Sequence, residues 1–215
     1  MVIKIKTASV IGLDAHNVDV ELDIVNAMQP CVVIVGLPDT AIKEAEARVK
    51  SAIKNSGYCY PNKKIVVNLA PADLKKVGTH FDLPIAVGVL GEEEVIPKEK
   101  LKEYAFLGEL SLDGALTGVR GVLPLVMGLK GFGVKNVVVP FANVKEAALV
   151  DGINVYGANS LVEVVHHFID EPLKKVEVDL DKYLKEVAEV DYAYDFKDVK
   201  GQSKTCYGSG SCRGS

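Results

Sequence analysis

The sequence contains no apolar run long enough to cross a bilayer. Its opening residues, MVIKIKTASVIG, lack the long apolar core and the small-residue cleavage site of a signal peptide. These absences predict a soluble, cytoplasmic protein with no membrane partner. Neither sign of charge dominates. The 25 Lys and Arg stand against 29 Asp and Glu, a net −4, so only a local basic face would serve a nucleic acid. Cysteine is scarce, at four residues, and none has the C-x-x-C spacing of a zinc site. Cys31 and Cys59 stand alone in or beside apolar segments and are expected to be reduced core thiols. Cys206 and Cys212 lie in a Gly/Ser tail, where a disulfide between them is conceivable. No G-x-x-x-x-G-K-[ST] phosphate loop, H-E-x-x-H or G-x-S-x-G is present. Gly36-Leu37-Pro38 and Gly131-Phe132-Gly133 are too short for dinucleotide fingerprints. No metal site, no cofactor site and no internal repeat is expected in this chain.

What is present is ample apolar material. With 48% hydrophobic residues in 215, the chain supports one packed core and an appendage. Residues 2–10 alternate, with Ile3, Ile5 and Thr7 on one face. Residues 18–24 alternate more cleanly, with Val18, Val20, Leu22 and Ile24 inward, as a half-buried strand requires. The continuous run 31–35 predicts a more buried strand. Asp39 or Thr40 then caps a helix to about Ser56, whose inner face is Ile42, Ala45, Val49, Ala52 and Ile53. Its outer face carries Lys43, Glu44, Glu46, Arg48 and Lys50.

Residues 65–69 read as a strand, followed by a polar loop through Lys75, Lys76 and His80. Asp82 is placed to cap a buried helix over 83–90, with Pro84 in the first turn. A connector with one short helical turn spans 92–103. AFLGELSL (residues 105–112) and residues 115–119 flank Asp113-Gly114 as a hairpin. A helix follows over 122–130, then a buried strand over 134–140. Asn143 with Glu146, and Ser160 with Glu163, have capping-box spacing. Residues 153–156 form a further strand. His166 and His167 close the last helix, where positive charge is favourable. Residues 170–202 read as a charged linker, and 203–215 as a low-complexity end or appended tail. The one local arrangement with catalytic chemistry is His80 beside Asp82, since a carboxylate can orient an imidazole as a base. No nucleophile adjoins it in sequence.

Several motifs occur together: IVGLPDTAIKEA (34–45), RVKSAI (48–53), VNLAPADL (67–74), FDLPIA (81–86), LGEL (107–110), GVRG (118–121) and Val139-Pro140. The set resembles the N-terminal domain of the YifB/ComM family, the magnesium-chelatase-like AAA+ ATPases, over residues 3–168. The resemblance implies an α/β fold with a mixed sheet and covering helices, like the proteolytic domain of Lon and the C-terminal domain of the RadA recombination protein. It divides the chain into a Lon-like domain over 1–169, a linker over 170–202 and an end segment over 203–215. Residues 195–202 (DFKDVKGQ) resemble the entry to an AAA+ motor that this sequence does not contain. ATP and Mg are expected for that motor, and none for this chain.

Lon-type proteases use a Ser nucleophile and a Lys base. The resemblance places Asp82 at the Ser position and Leu123 at the Lys position. A leucine offers no base and a carboxylate is a poor stand-in nucleophile, so the resemblance implies the fold while removing the protease chemistry. The expected role is a non-catalytic accessory domain. It would aid assembly of a homo-oligomeric, hexameric ring, or guide DNA for ATP-driven branch migration. Lys43, Arg48, Lys50, Lys63, Lys64, Lys75, Lys76 and Arg120 are the candidate DNA contacts. The alternatives are a hydrolase with a divergent site around His80, Asp82 and Glu109, and a protein-binding, chelatase-type module.

Overall fold

The computed structural model describes residues 2–12 and 14–177. The alternating start of the chain is β1 (Ile3–Ile11), which pairs antiparallel with β2 (Asp14–Val25) from Ile3↔Leu22 to Ile11↔Asp14. β3 (Cys31–Val35) leads into α1 (Thr40–Asn55). The Asp39 side chain accepts a hydrogen bond from the Ile42 amide at 2.9 Å, satisfying one of the free amides of the first turn. The buried face of α1 is Ile42, Ala45, Val49, Ala52 and Ile53, as the 3.6-residue period requires. β4 (Lys64–Ala70) pairs antiparallel with β2 and parallel with β3.

A single 3-10 turn, Thr79–Phe81, opens directly into α2 (Asp82–Glu92), which is buried from Asp82 to Gly91 because it lies between the sheet and α1. The one-turn α3 (Lys98–Leu101) precedes β5 (Tyr104–Phe106). β6 (Glu109–Leu110) and β7 (Leu116–Thr117) form a separate small hairpin, and α4 (Val122–Gly131) follows. β8 (Asn136–Pro140), the one-turn α5 (Val144–Ala147), β9 (Asn154–Ala158), α6 (Leu161–Ile169) and β10 (Lys175–Val176) complete the described chain.

Eight strands form one mixed sheet in the order β10-β9-β8-β5-β1-β2-β4-β3. Because side chains alternate across a strand, the sheet buries both its faces in two cores. On one face Ile5, Leu22 and Val67 pack with α1, α2 and α6. On the other, Ala8, Val137 and Val139 pack with α4 and α5. This is an α/β fold with a mixed sheet and covering helices, as expected.

Several expectations need correction. The run 31–35 is not a buried strand. β3 is the edge of the sheet, and Cys31, Val33 and Val35 are exposed, since continuous apolarity in sequence says nothing of how many strands lie alongside. Cys31 and Cys59 are both exposed free thiols rather than core residues. The stretch AFLGELSL breaks at Leu107-Gly108, so that β5 joins the sheet and only β6 joins the hairpin.

Asn143 does not cap α5 through its side chain. Its amide spans Val119 instead, accepting from the Val119 amide and donating to the Val119 carbonyl, both at 2.8 Å. Glu146 reaches the Leu123 amide of α4. At α6 the Ser160 hydroxyl does accept from the Glu163 amide, but the Glu163 carboxylate returns to the Asn159 amide, one residue before the capping-box position. After residue 169 the chain contributes β10, antiparallel to β9. Residues 195–202, Cys206 and Cys212 lie outside the described residues.

Candidate functional site

Asp82 is fully buried at the first residue of α2, and it is not a cap. Its carboxylate accepts two hydrogen bonds from Arg48, from Nε at 2.7 Å and Nη2 at 3.0 Å, and a third from the Leu110 amide at 3.3 Å. Arg48 also donates to the Ala41 carbonyl, 2.9 Å away. Three elements therefore meet on one carboxylate: α1 through Arg48, α2 through Asp82 and the β6–β7 hairpin through Leu110. Burial pushes the Asp82 carboxyl up from its ordinary value, and Arg48 and the Leu110 amide pull against that. Its hydrogen bond to Asp82 holds the Arg48 guanidinium above its own.

His80 does not pair with Asp82, which corrects the orienting-carboxylate reading. It is buried in the 3-10 turn, and its Nε2 meets the Ala8 carbonyl at 2.9 Å. A carbonyl only accepts, so Nε2 carries the proton. Burial holds the imidazole below its ordinary value, which favours the neutral ring. His80 lines an open cleft of about 490 Å³ between the amino ends of α2 and α4, together with Thr79, Glu109 and Arg120. Neither Asp82 nor Leu123 lines it. Leu123 is half-buried beside the second core, and its amide is held by Glu146 at 3.2 Å.

Of the candidate DNA contacts, Lys43, Lys50, Lys63, Lys75 and Arg120 are exposed, and Lys64 is half-buried. Arg48 is committed to Asp82. Lys76 is fully buried, which corrects its reading as a loop surface residue. Its ammonium donates to the Gly36 carbonyl at 2.9 Å and to the Pro71 carbonyl. The backbone of residue 76 also binds Leu37 and Asp39, so that Lys76 fastens the loop 71–78 to the start of α1. Burial lowers its pKa.

The structure brings Lys50 and Lys63 together in a small polar hollow of about 100 Å³ and adds Lys54, which sequence reasoning missed. Lys54 is four residues beyond Lys50 on the same exposed side of α1, a spacing that was available to find it. Glu46 and Tyr60 share the hollow. Lys50 Nζ lies 5.8 Å from the centre of the Tyr60 ring, within cation–π range. Burial pushes the Tyr60 hydroxyl up to about 12, so it stays neutral at physiological pH. Lys75 and Arg120 lie elsewhere, on the loop 71–78 and on the rim of the cleft.

Among the described residues no helix is long and apolar enough to cross a membrane. The family described as subunit ChlI of Mg-chelatase matches residues 20–143. The chain is similar to the competence protein ComM of Haemophilus influenzae, at 42% identity over 154 residues, 72% of this chain and 30% of that protein. It is 45% identical to the uncharacterized protein YifB of Escherichia coli over 148 residues, 69% of this chain and 29% of the relative. YifB of Salmonella typhimurium is 37% identical over 205 residues, 93% of this chain and 38% of the relative. The chain thus spans about a third of the length of these relatives.

Proposed function

The chain belongs to the magnesium-chelatase-like family of ComM and YifB, as its Lon-like N-terminal domain, and from that premise we propose that it is a non-catalytic accessory domain that guides DNA toward an ATP-driven motor. The carrying observation is the basic hollow. Lys50, Lys54 and Lys63 converge beside a neutral tyrosine, with Glu46 among them and Glu93 3.4 Å from the Lys63 ammonium. Lysines neutralise phosphate and release its counterions, and an adjacent aromatic ring suits single strands. The name of one relative, competence protein, agrees with a DNA task.

The reading of the domain as non-catalytic rests on the two positions that the Lon resemblance singles out. Asp82 has its carboxylate engaged by Arg48 and Leu110, and Leu123 has no proton to take or give. A carboxylate already holding three donors is a tie between elements. In this reading ATP and Mg act in the motor, and a hexameric ring carries several copies of the hollow around a shared strand.

Charge reversal tests the proposal. The triple variant Lys50→Glu, Lys54→Glu, Lys63→Glu is expected to bind single-stranded DNA at least about tenfold more weakly at low salt. The slope of log affinity against log salt should fall by about 2, near 0.7 per lost phosphate contact. Fluorescence anisotropy over a salt series measures both quantities. Unchanged affinity and slope would contradict DNA guidance through this hollow.

A further inference from the structure

The two histidines of α6 have no part in the DNA reading, yet both hold the segment that follows the helix. The Leu173 amide donates to His167 Nδ1 at 2.8 Å. A ring nitrogen that accepts carries no proton, so in the neutral ring the proton is on Nε2. That Nε2 is buried and meets no acceptor among the described residues. The ring is 9% exposed and stands among Tyr104, Tyr156 and Phe168, with centroids 5.2, 5.0 and 4.7 Å away. Burial first, and the positive charge of Lys100 second, hold its pKa below the ordinary value of 6.5. Lys100 is fixed nearby, donating to the Phe168 carbonyl at 2.6 Å.

Residues 170–176 form a strap held unequally at its two ends. At the start, the Asp170 and Glu171 amides donate to the His166 carbonyl at 3.0 and 2.9 Å. His166 Nδ1 also lies 3.0 Å from Asp170 Oδ1, a contact that protonation of His166 strengthens. Further on the hold is slight. It consists of the Leu173 amide on His167, the Leu173 side chain against the first core, and two β10 pairs, Lys175↔Tyr156 and Val176↔Val155. The groups facing His167 offer its charged form little. Lys100 is a like charge, and the Tyr104 hydroxyl, pushed up to about 12 mainly by burial, is neutral. Tyr156 presents its ring. Of the charged residues of the strap, Asp170 is engaged by His166, Glu171 and Lys174 are exposed, and Lys175 pairs with Glu177.

We propose that neutral His167 latches the strap 170–176 onto the domain and that its protonation releases residues 172–176, with His166 keeping the hinge at residues 170–171. A protonated imidazole donates from both nitrogens, and the Leu173 amide is itself a donor, so the bond between them is lost. The Nε2 proton of the charged ring still finds no acceptor. A ring whose pKa is lowered in the latched state stabilises that state above its ordinary value. This stability is lost as pH falls from there toward the lowered pKa. The rest of the chain continues from this strap. Release lets its point of departure move by up to roughly 17 Å, the reach of five extended residues.

The test is NMR of the ¹⁵N-labelled chain from about pH 7.5 to about pH 5, with amide exchange corrected for its intrinsic pH dependence. Protection of the Leu173 amide is expected to fall by up to about tenfold per unit of pH below the ordinary imidazole value, while Asp170 and Glu171 keep theirs. His167→Asn supplies Oδ1 as an acceptor that does not titrate, so it should hold Leu173 without this pH dependence. His167→Phe keeps the aromatic packing and removes the acceptor, so Leu173 should be weakly protected already at neutral pH. His166→Gln should leave the Leu173 response in place. Leu173 protection that does not change with pH in the parent chain would overturn the proposal. So would the same pH dependence in His167→Asn, a His167 Nε2 found unprotonated at neutral pH, or equal losses of protection in β1 and β2.

Discussion

Replacing Arg48 with alanine is expected to destabilise the domain by about 3–5 kcal/mol, the effect of stranding a buried carboxylate without its partner. Asp82 is fully buried, and of its three donors only the Leu110 amide would remain. The loss should depend on pH in a particular sense. Burial already raises the folded pKa of Asp82, and removing Arg48 raises it further. An acid whose folded pKa lies above its unfolded value favours the folded state at low pH, and that stability is lost as pH rises through the folded pKa. Arg48→Ala should therefore be relatively more stable in mild acid than at neutral pH, when each is compared with the parent chain. Chemical denaturation at several pH values checks this. Replacing both partners with apolar residues, Arg48→Met with Asp82→Leu, should cost much less than the sum of the single changes, because no buried charge is left unpaired.

A loss of about 2–4 kcal/mol is expected for Lys76→Met, which keeps most of the side-chain volume and removes the ammonium. The Gly36 and Pro71 carbonyls would each lose the donor that Lys76 supplies, at about 1–3 kcal/mol per stranded group before water relieves part of it. Gly36 cannot simply move away. Its φ is +95°, and its Cα lies so close to β4 that an added Cβ would be 2.2 Å from the Leu69 carbonyl oxygen. Loosening should concentrate in residues 71–78, so amide exchange there should rise more than in β1 or β2. An arginine at 76 should not rescue, since a planar fork does not match two carbonyls arranged for an ammonium.

These two residues also mark where the sequence stops being readable. The inner faces of β2 and α1 follow from their periods alone, Val18, Val20 and Leu22 at two and Ile42, Ala45, Val49, Ala52 and Ile53 near 3.6. Periodicity reports which way a side chain points along one element. It cannot report a partner on another. Asp82 looks like a cap because aspartate before a helix often is one, yet its partner is Arg48, 34 residues earlier on what reads as the solvent face of α1. Lys76 looks like loop surface because the loop is polar, and its burial depends on carbonyls from residues 36 and 71. β3 looks central because it is continuously apolar, and only the strand order makes it an edge. His80 was legible as a residue with chemistry, but its true partner is the Ala8 backbone, which carries no sequence signal.

The proposed DNA guidance depends on the hollow around Tyr60. Sedimentation velocity of the chain, alone and with single-stranded DNA, at low and moderate salt, tests it most directly. A DNA complex is expected at low salt that dissociates as salt rises, with the triple lysine variant remaining free in both. A chain whose mass is indifferent to DNA even at low salt would contradict it.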